Sequence, residues 1–239
     1  MAINRVSDFP VIVLGGWALA PDILRSIFGD GSIFIDINTL MPELVEHEQL
    51  RQDWKKRFVN AMEHHINTRP VVLAGWSTGA IIALACAGFL ECAGLILISA
   101  TASFCRTPQW RHGIRRSVLE AMHKKLLSEP ETVIDGFARQ CGIDNKKFMP
   151  SRSAHELICG LHFLEQASLS FEQPLGTKPL FIHGKDDAIV PCVAATALQS
   201  ALGGTTLFID APHACFINNE TTVISAINTY LKGCQNESI

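Results

Sequence analysis

Six short apolar runs punctuate the chain, each closed by glycine or polar turn residues. They are Val11-Ile12-Val13-Leu14, Ser32-Ile33-Phe34-Ile35-Asp36-Ile37, Val71-Val72-Leu73-Ala74, Ala93-Gly94-Leu95-Ile96-Leu97-Ile98-Ser99, Lys178-Pro179-Leu180-Phe181-Ile182-His183-Gly184 and Thr205-Thr206-Leu207-Phe208-Ile209-Asp210. Their length and nearly unbroken apolar character predict buried strands. Residues 49–66 instead mix charged and apolar side chains at helical spacing, with Leu50, Trp54, Phe58 and Met62 on one stripe. A small-residue helix is predicted from Thr78 to about Leu90. Strands alternating with helices in this way predict an α/β fold with a mostly parallel, doubly wound sheet.

Between the fourth and fifth runs the pattern changes. Residues 105 to about 170 hold helical stretches (Ile114–Leu127, Glu131–Gln140 and Ala154–Gln166), with Pro130 and Pro150 as punctuation and no convincing strand. The expected division is a core of residues 1–104 and 171–239 and a helical lid of residues 105–170, which the topology places over the active site.

The third run leads directly into Gly75-Trp76-Ser77-Thr78-Gly79 and then into Ala80-Ile81-Ile82-Ala83-Leu84-Ala85. Strand, G-x-S-x-G, helix is the context of a nucleophile elbow. A serine in so tight a turn has strained backbone angles, so the residues two before and two after it must be small. Its hydroxyl then stands above the sheet edge, facing the dipole of the following helix. The fifth run is followed by Lys185-Asp186-Asp187 and the sixth by Ala211-Pro212-His213. Ser77, an acid at 186 or 187, and His213 thus follow in the order nucleophile, acid, base, each at the C-terminal end of a predicted strand. That order predicts a serine hydrolase.

Composition agrees. At 239 residues and 48% hydrophobic, with mean hydropathy +0.21, the chain can bury about 70–75% of its unfolded surface without staples. No apolar stretch reaches the roughly 18 residues of a membrane span, and residues 1–5 lack the basic-then-apolar pattern of a leader. The eight cysteines are scattered, without zinc or C-x-x-C spacing, and read as free thiols of a cytoplasmic protein. His64-His65 point to different helix faces and read as a surface pair, not a metal site. No metal or cofactor is expected. No dinucleotide or phosphate-binding fingerprint appears, since Gly15-Gly16 lacks the third glycine and the helix that follows it.

Over essentially its full length the chain resembles the α/β-hydrolase superfamily, and within it the pimeloyl-acyl-carrier-protein methyl ester esterases of biotin synthesis. The segments that carry the resemblance are Leu14-Gly15-Gly16-Trp17, the elbow, Gly160-Leu161-His162-Phe163-Leu164, Gly184-Lys185-Asp186-Asp187-Ala188-Ile189-Val190-Pro191 and His213-Ala214-Cys215-Phe216-Ile217. The resemblance implies a carboxylesterase with Ser77, Asp187 and His213 as catalytic residues, the acid being the aspartate of G-x-x-D-x-x-V-P. It implies oxyanion donation by the backbone N–H groups of Trp17 and Thr78. The family pattern is His-Gly-Trp where this chain has Gly15-Gly16-Trp17, so another group must brace that loop.

Trp17 and Trp76 are the expected substrate-pocket residues, with Phe104 and Trp110 at the start of the lid as further candidates. His183 reads as a core histidine beside the site, and Cys215 as packing. Residues 105–152 carry ten Lys and Arg against five acids, net +5 in a chain of net −3, an asymmetry able to steer an acidic partner. Acyl carrier protein, which presents a small acyl ester, fits the resemblance. Two of the family's lid arginines fall near Glu131 and Gly136 here, which moves the expected carrier contact to Arg115, Arg116, Lys146 and Lys147. No nucleic-acid or membrane partner is expected. The same machinery serves short-chain esterases, thioesterases, perhydrolases and carbon–carbon-bond hydrolases. A non-catalytic binding protein on the scaffold is the reading from another class.

Overall fold

The computed structural model describes residues 9–46, 53–66, 70–144, 148–171 and 175–236. All six apolar runs form strands: β1 Val11–Leu14, β2 Ile33–Ile35, β3 Val71–Trp76, β4 Cys92–Ile98, β5 Leu180–Gly184 and β6 Thr205–Ile209. They make one parallel sheet in the order β2-β1-β3-β4-β5-β6. The central strands are buried along nearly their whole length, as a sheet covered on both faces requires. The strand order reverses between β1 and β3, and the crevice outside the carboxyl ends of such a pair is where open α/β sheets bind ligands.

Among the described residues the α-helices are α1 Arg25–Phe28, α2 Met41–Glu46, α3 Trp54–Glu63, α4 Thr78–Cys86, α5 Arg116–Leu126, α6 Pro130–Cys141, α7 Ala154–Gln166, α8 Val193–Leu202 and α9 Glu220–Asn236. Helix α4 is apolar on every side and almost wholly buried, which suits the helix seated under the centre of the sheet. It ends at Cys86, earlier than the small-residue pattern suggests, because Ala87 and Gly88 turn the chain toward β4. Strand β2 is also shorter than its apolar run. The Asp36 side chain accepts from the Asn38 amide and caps a 3-10 turn over Ile37–Leu40, ending the strand early. Leu50 of the predicted stripe lies outside the described residues; Phe58 and Met62 of α3 face the core and Trp54 stacks edge-on against Phe163 at 5.1 Å.

Helices α5–α7 form the insert between β4 and β5. The chain enters and leaves it side by side, through a bridge between Ser103 and Ser168 and a bond from the Leu169 amide to the Ala102 carbonyl at 2.9 Å. Helix α7 begins where the sequence predicts, at a capping box in which Ser153 and Glu156 satisfy each other's backbone amides. It packs against α2 and α5, which seats the insert above the β1 side of the sheet. Among the described residues no helix is long and apolar enough to cross a membrane.

Candidate active site

The turn from β3 to α4 has the strain that its spelling implies. Ser77 sits at φ 56° and ψ −119°, a region that a non-glycine residue occupies only where the surroundings hold it. Here its amide bonds the Ile98 carbonyl at 2.9 Å, and its own carbonyl accepts from Ala80 and Ile81 to start the helix. The flanking glycines are steric necessities. A Cβ on Gly75 would collide with the Gly79 carbonyl, and one on Gly79 with the carbonyls of Leu14 and Gly15. Strand β1, the elbow and α4 therefore touch backbone to backbone. A Cβ on Gly16 would stand 3.5 Å from Ser77 Cβ, so the loop after β1 lies directly beside the serine.

Asp187 and His213 arrive from β5 and β6, on the far side of β4 from the elbow. Asp187 follows β5 and is buried, whereas Asp186 is exposed. Asp187 Oδ1 accepts from the amides of Ile189 and Val190 at 2.9 and 2.8 Å, and Oδ2 faces His213 Nδ1 at 2.7 Å. A carboxylate only accepts, so His213 Nδ1 carries the proton and the neutral ring keeps its lone pair on Nε2. That Nε2 is buried and has no hydrogen-bond partner, and neither does Thr78 Oγ1. No Ser77–His213 hydrogen bond is formed; such contacts often tighten only around substrate.

His183, fully buried within β5, sits behind this pair. Its Nε2 lies 2.9 Å from the Val190 carbonyl and 3.2 Å from Asp187 Oδ2. Both are acceptors, so Nε2 carries the proton. Burial by itself would raise the Asp187 carboxyl. The attraction of His213 in its protonated form and the hydrogen bonds from His183 and His213 outweigh it and hold the group well below the usual carboxylate range.

The His213 main chain is fixed as firmly as its ring. Its carbonyl accepts from Ser99 Oγ at 2.7 Å and from Trp76 Nε1 at 3.2 Å. Ser99, itself at φ 49° and fully buried, has no motif to mark it in the sequence. A Cβ on Gly142, the left-handed C-cap of α6, would strike Pro212, and the Ala214 amide bonds the Cys141 carbonyl at 2.9 Å. The insert thus holds the histidine loop as well as the loop after β1.

The expected pocket aromatics turn out to be packed. Trp76 is fully buried against His213 and Phe216, with ring centroids 5.5 and 5.3 Å away. Trp17 donates Nε1 to the Leu157 carbonyl at 2.9 Å and meets Phe137 edge-on at 5.0 Å. A Cβ on Gly160 would strike the Trp17 ring, which explains a glycine inside α7. Trp110 donates Nε1 to Thr101 Oγ1 at 2.8 Å, and Phe104 is 7% exposed.

Of the expected carrier contacts, Arg115 is exposed, Arg116 is exposed but paired with Glu165, and Lys146 and Lys147 lie outside the described residues. Arg152, counted in the basic patch, has only 4% of its side chain exposed and pairs with Asp36. The loop after β1 is braced by Asn38, whose side chain bonds Gly16, Ala18 and Leu19. His64 and His65 are exposed. Cys215 is buried and its thiol is pushed up to about 12, chiefly by that burial.

Comparison with known proteins gives this geometry a context. Residues 16–225 match the alpha/beta hydrolase family. The chain is 31% identical over 245 residues to the pimeloyl-(acyl-carrier protein) methyl ester esterase of Stenotrophomonas maltophilia (strain R551-3), covering 93% of each chain. It is 29% identical over 186 residues to the protein of the same name from Xylella fastidiosa (strain M12), covering 69% of this chain and 72% of that one. An esterase from Exiguobacterium antarcticum superposes with a TM-score of 0.74 at 19% identity, covering 95% of this chain and 92% of that one. A thermophilic esterase from Thermogutta terrifontis gives 0.67 at 16% identity, covering 95% and 91%. At those identities the superpositions speak for the fold; the family match and the 93% coverage settle membership. The chain belongs to the alpha/beta hydrolase family and is an esterase-type hydrolase within it.

Proposed function

We propose that the protein cleaves a carboxylic ester through an acyl-enzyme, with Ser77 as nucleophile, His213 as general base and Asp187 as the carboxylate that orients it. One observation carries this reading. A buried imidazole, tied to Asp187 through Nδ1, keeps an unpartnered Nε2 at the sheet edge that also presents the strained Ser77. In this reading His213 Nε2 takes the Ser77 proton as Oγ bonds to the acyl carbon. The Trp17 and Thr78 amides bind the oxyanion, each donor worth roughly 2.7–4 kcal/mol in comparable sites. The imidazolium then protonates the leaving alcohol. A water, deprotonated by the same nitrogen, attacks the acyl carbon, and the acid leaves with Ser77 protonated again.

The proposed substrate is the methyl ester of a pimeloyl group on acyl carrier protein, with methanol as the leaving alcohol. The name of the 31% identical relative supports this, as does the basic character of residues 105–152. In this reading residues 105–170 act as the lid over the ester. Cysteines present as thiols suit a reducing cytoplasm.

The test offers purified protein the carrier-bound methyl ester, p-nitrophenyl butyrate and an acyl thioester side by side, with Ser77→Ala as control. It also asks for rescue of a biotin-requiring bacterial strain that lacks its methyl esterase. Preference for the carrier-bound ester together with rescue supports the substrate. Turnover of p-nitrophenyl butyrate without either would leave a general short-chain esterase.

A further inference from the structure

The loop after β1 is held by a side-chain network drawn from two distant segments. Asn38 Nδ2 donates to the Gly16 carbonyl at 3.1 Å and lies 3.4 Å from that of Leu19, while Asn38 Oδ1 accepts from the Ala18 amide at 2.9 Å. Asp36 Oδ1 orients Asn38, accepting from its backbone amide at 3.1 Å and from Nδ2 at 3.0 Å. From the insert, Arg152 pairs with Asp36 Oδ2 at 2.7 Å and donates to the Ala18 and Leu19 carbonyls at 3.3 and 3.4 Å. The same stretch of insert grips the loop twice more, through Trp17 Nε1 on the Leu157 carbonyl and the Ala20 amide on the Phe148 carbonyl at 3.0 Å.

Peptide planarity makes this arrangement specific. The Gly16 carbonyl and the Trp17 N–H belong to one planar trans unit, as do the Trp17 carbonyl and the Ala18 N–H. Asn38 holds one end of each unit, and so sets the direction in which the Trp17 N–H points. Ala18 sits at φ 63°, a conformation that alanine keeps only under constraint. Removing the clamp lets both units turn. The Arg152 guanidinium is buried and needs its charge matched; the Asp36 carboxylate and two carbonyls of this loop supply the match.

We infer that Asn38 and Arg152 are positioning residues for the Trp17 oxyanion amide, so that seating the insert and aiming that donor are one event. The inference rests on the esterase reading above. It assigns to this network the bracing that the family histidine would give at Gly15.

The test measures p-nitrophenyl butyrate kinetics and the affinity of an alkyl trifluoromethyl ketone, whose serine adduct carries an oxyanion, for wild type, Asn38→Ala and Arg152→Met. Thermal unfolding checks that each variant is folded, and Arg152→Lys stands in if the methionine variant is not. Lysine keeps the pairing with Asp36 but, with a single ammonium, does not reproduce the guanidinium fork. The expected result is a fall in kcat of about 10- to 100-fold, the scale of a misplacement of about an ångström, with KM changed less than about threefold. Ketone affinity should fall in proportion to kcat/KM, which loss of general stability would not produce. Folded variants with kcat within twofold of wild type, or with wild-type ketone affinity, would overturn the inference and leave the esterase reading standing. Wild type no more active than Ser77→Ala would overturn both.

Discussion

The sheet edge and the helical insert solve the same problem by different means. At the edge, position is set by backbone against backbone: Gly79 against Leu14 and Gly15, Gly184 against Ala211 and Pro212, Ser77 against Ile98. In the insert, side chains reaching across do much of the positioning: Arg152 to Asp36 and Trp17 to Leu157. The first arrangement tolerates no added atom. The second can be loosened one contact at a time. Changes at the edge should therefore abolish chemistry or folding, and changes in the insert should grade it.

The largest expected effect is at the proposed base. His213→Gln should lower kcat by roughly 10⁶-fold, the scale seen when a triad base is removed, measured on p-nitrophenyl butyrate. Asp187→Asn should cost about 10⁴-fold by releasing the ring tautomer. It should also change the pH dependence of stability. The folded carboxyl titrates below its unfolded value, so its stabilisation is complete above an unfolded pKa of about 3.9 and fades as pH falls toward the folded one. Urea midpoints should separate the two proteins most above about pH 5 and draw steadily closer as the pH falls below about 4. A constant separation down to pH 2 would contradict this.

Effects in the insert should be smaller. In Gly160→Ala the new methyl must displace the Trp17 ring, so kcat should fall about 10-fold with the unfolding temperature lowered by a few degrees. Gly136, inside α6, has nothing within 4 Å of its would-be Cβ. Gly136→Ala should stabilise by about 0.5–1 kcal/mol through helix propensity alone, with unchanged kcat. Loss of stability there would mean that the surface of α6 is more constrained than its contacts indicate.

The same contrast explains what the sequence reveals. The elbow is legible because apolar run, small-x-Ser-x-small and helix are contiguous, and α7 because its helical stretch is set off by Pro150. The family resemblance separates Asp187 from Asp186 by its place in G-x-x-D-x-x-V-P, and the burial of the one and exposure of the other give that choice a physical basis. Asn38 and Arg152 carry no local signal; Arg152 meets Asp36 across 116 positions. Counted by composition, Arg152 belongs to a basic patch, yet it lies under the loop after β1, and Arg116 is paired with Glu165. Charge counts register residues without registering which side of a helix they occupy. Trp17 and Trp76 flank the site in sequence, and what the sequence does not show is that their indole N–H groups bond carbonyls that hold the site together.

The central claim is that Ser77 is the nucleophile. Its most direct test is mass spectrometry after exposure to a fluorophosphonate, in wild type and in Ser77→Ala. The expected result is a single adduct on the peptide bearing Ser77, absent from the variant, with ester hydrolysis lost in step. An adduct on a different residue, or ester hydrolysis persisting in Ser77→Ala, would contradict it.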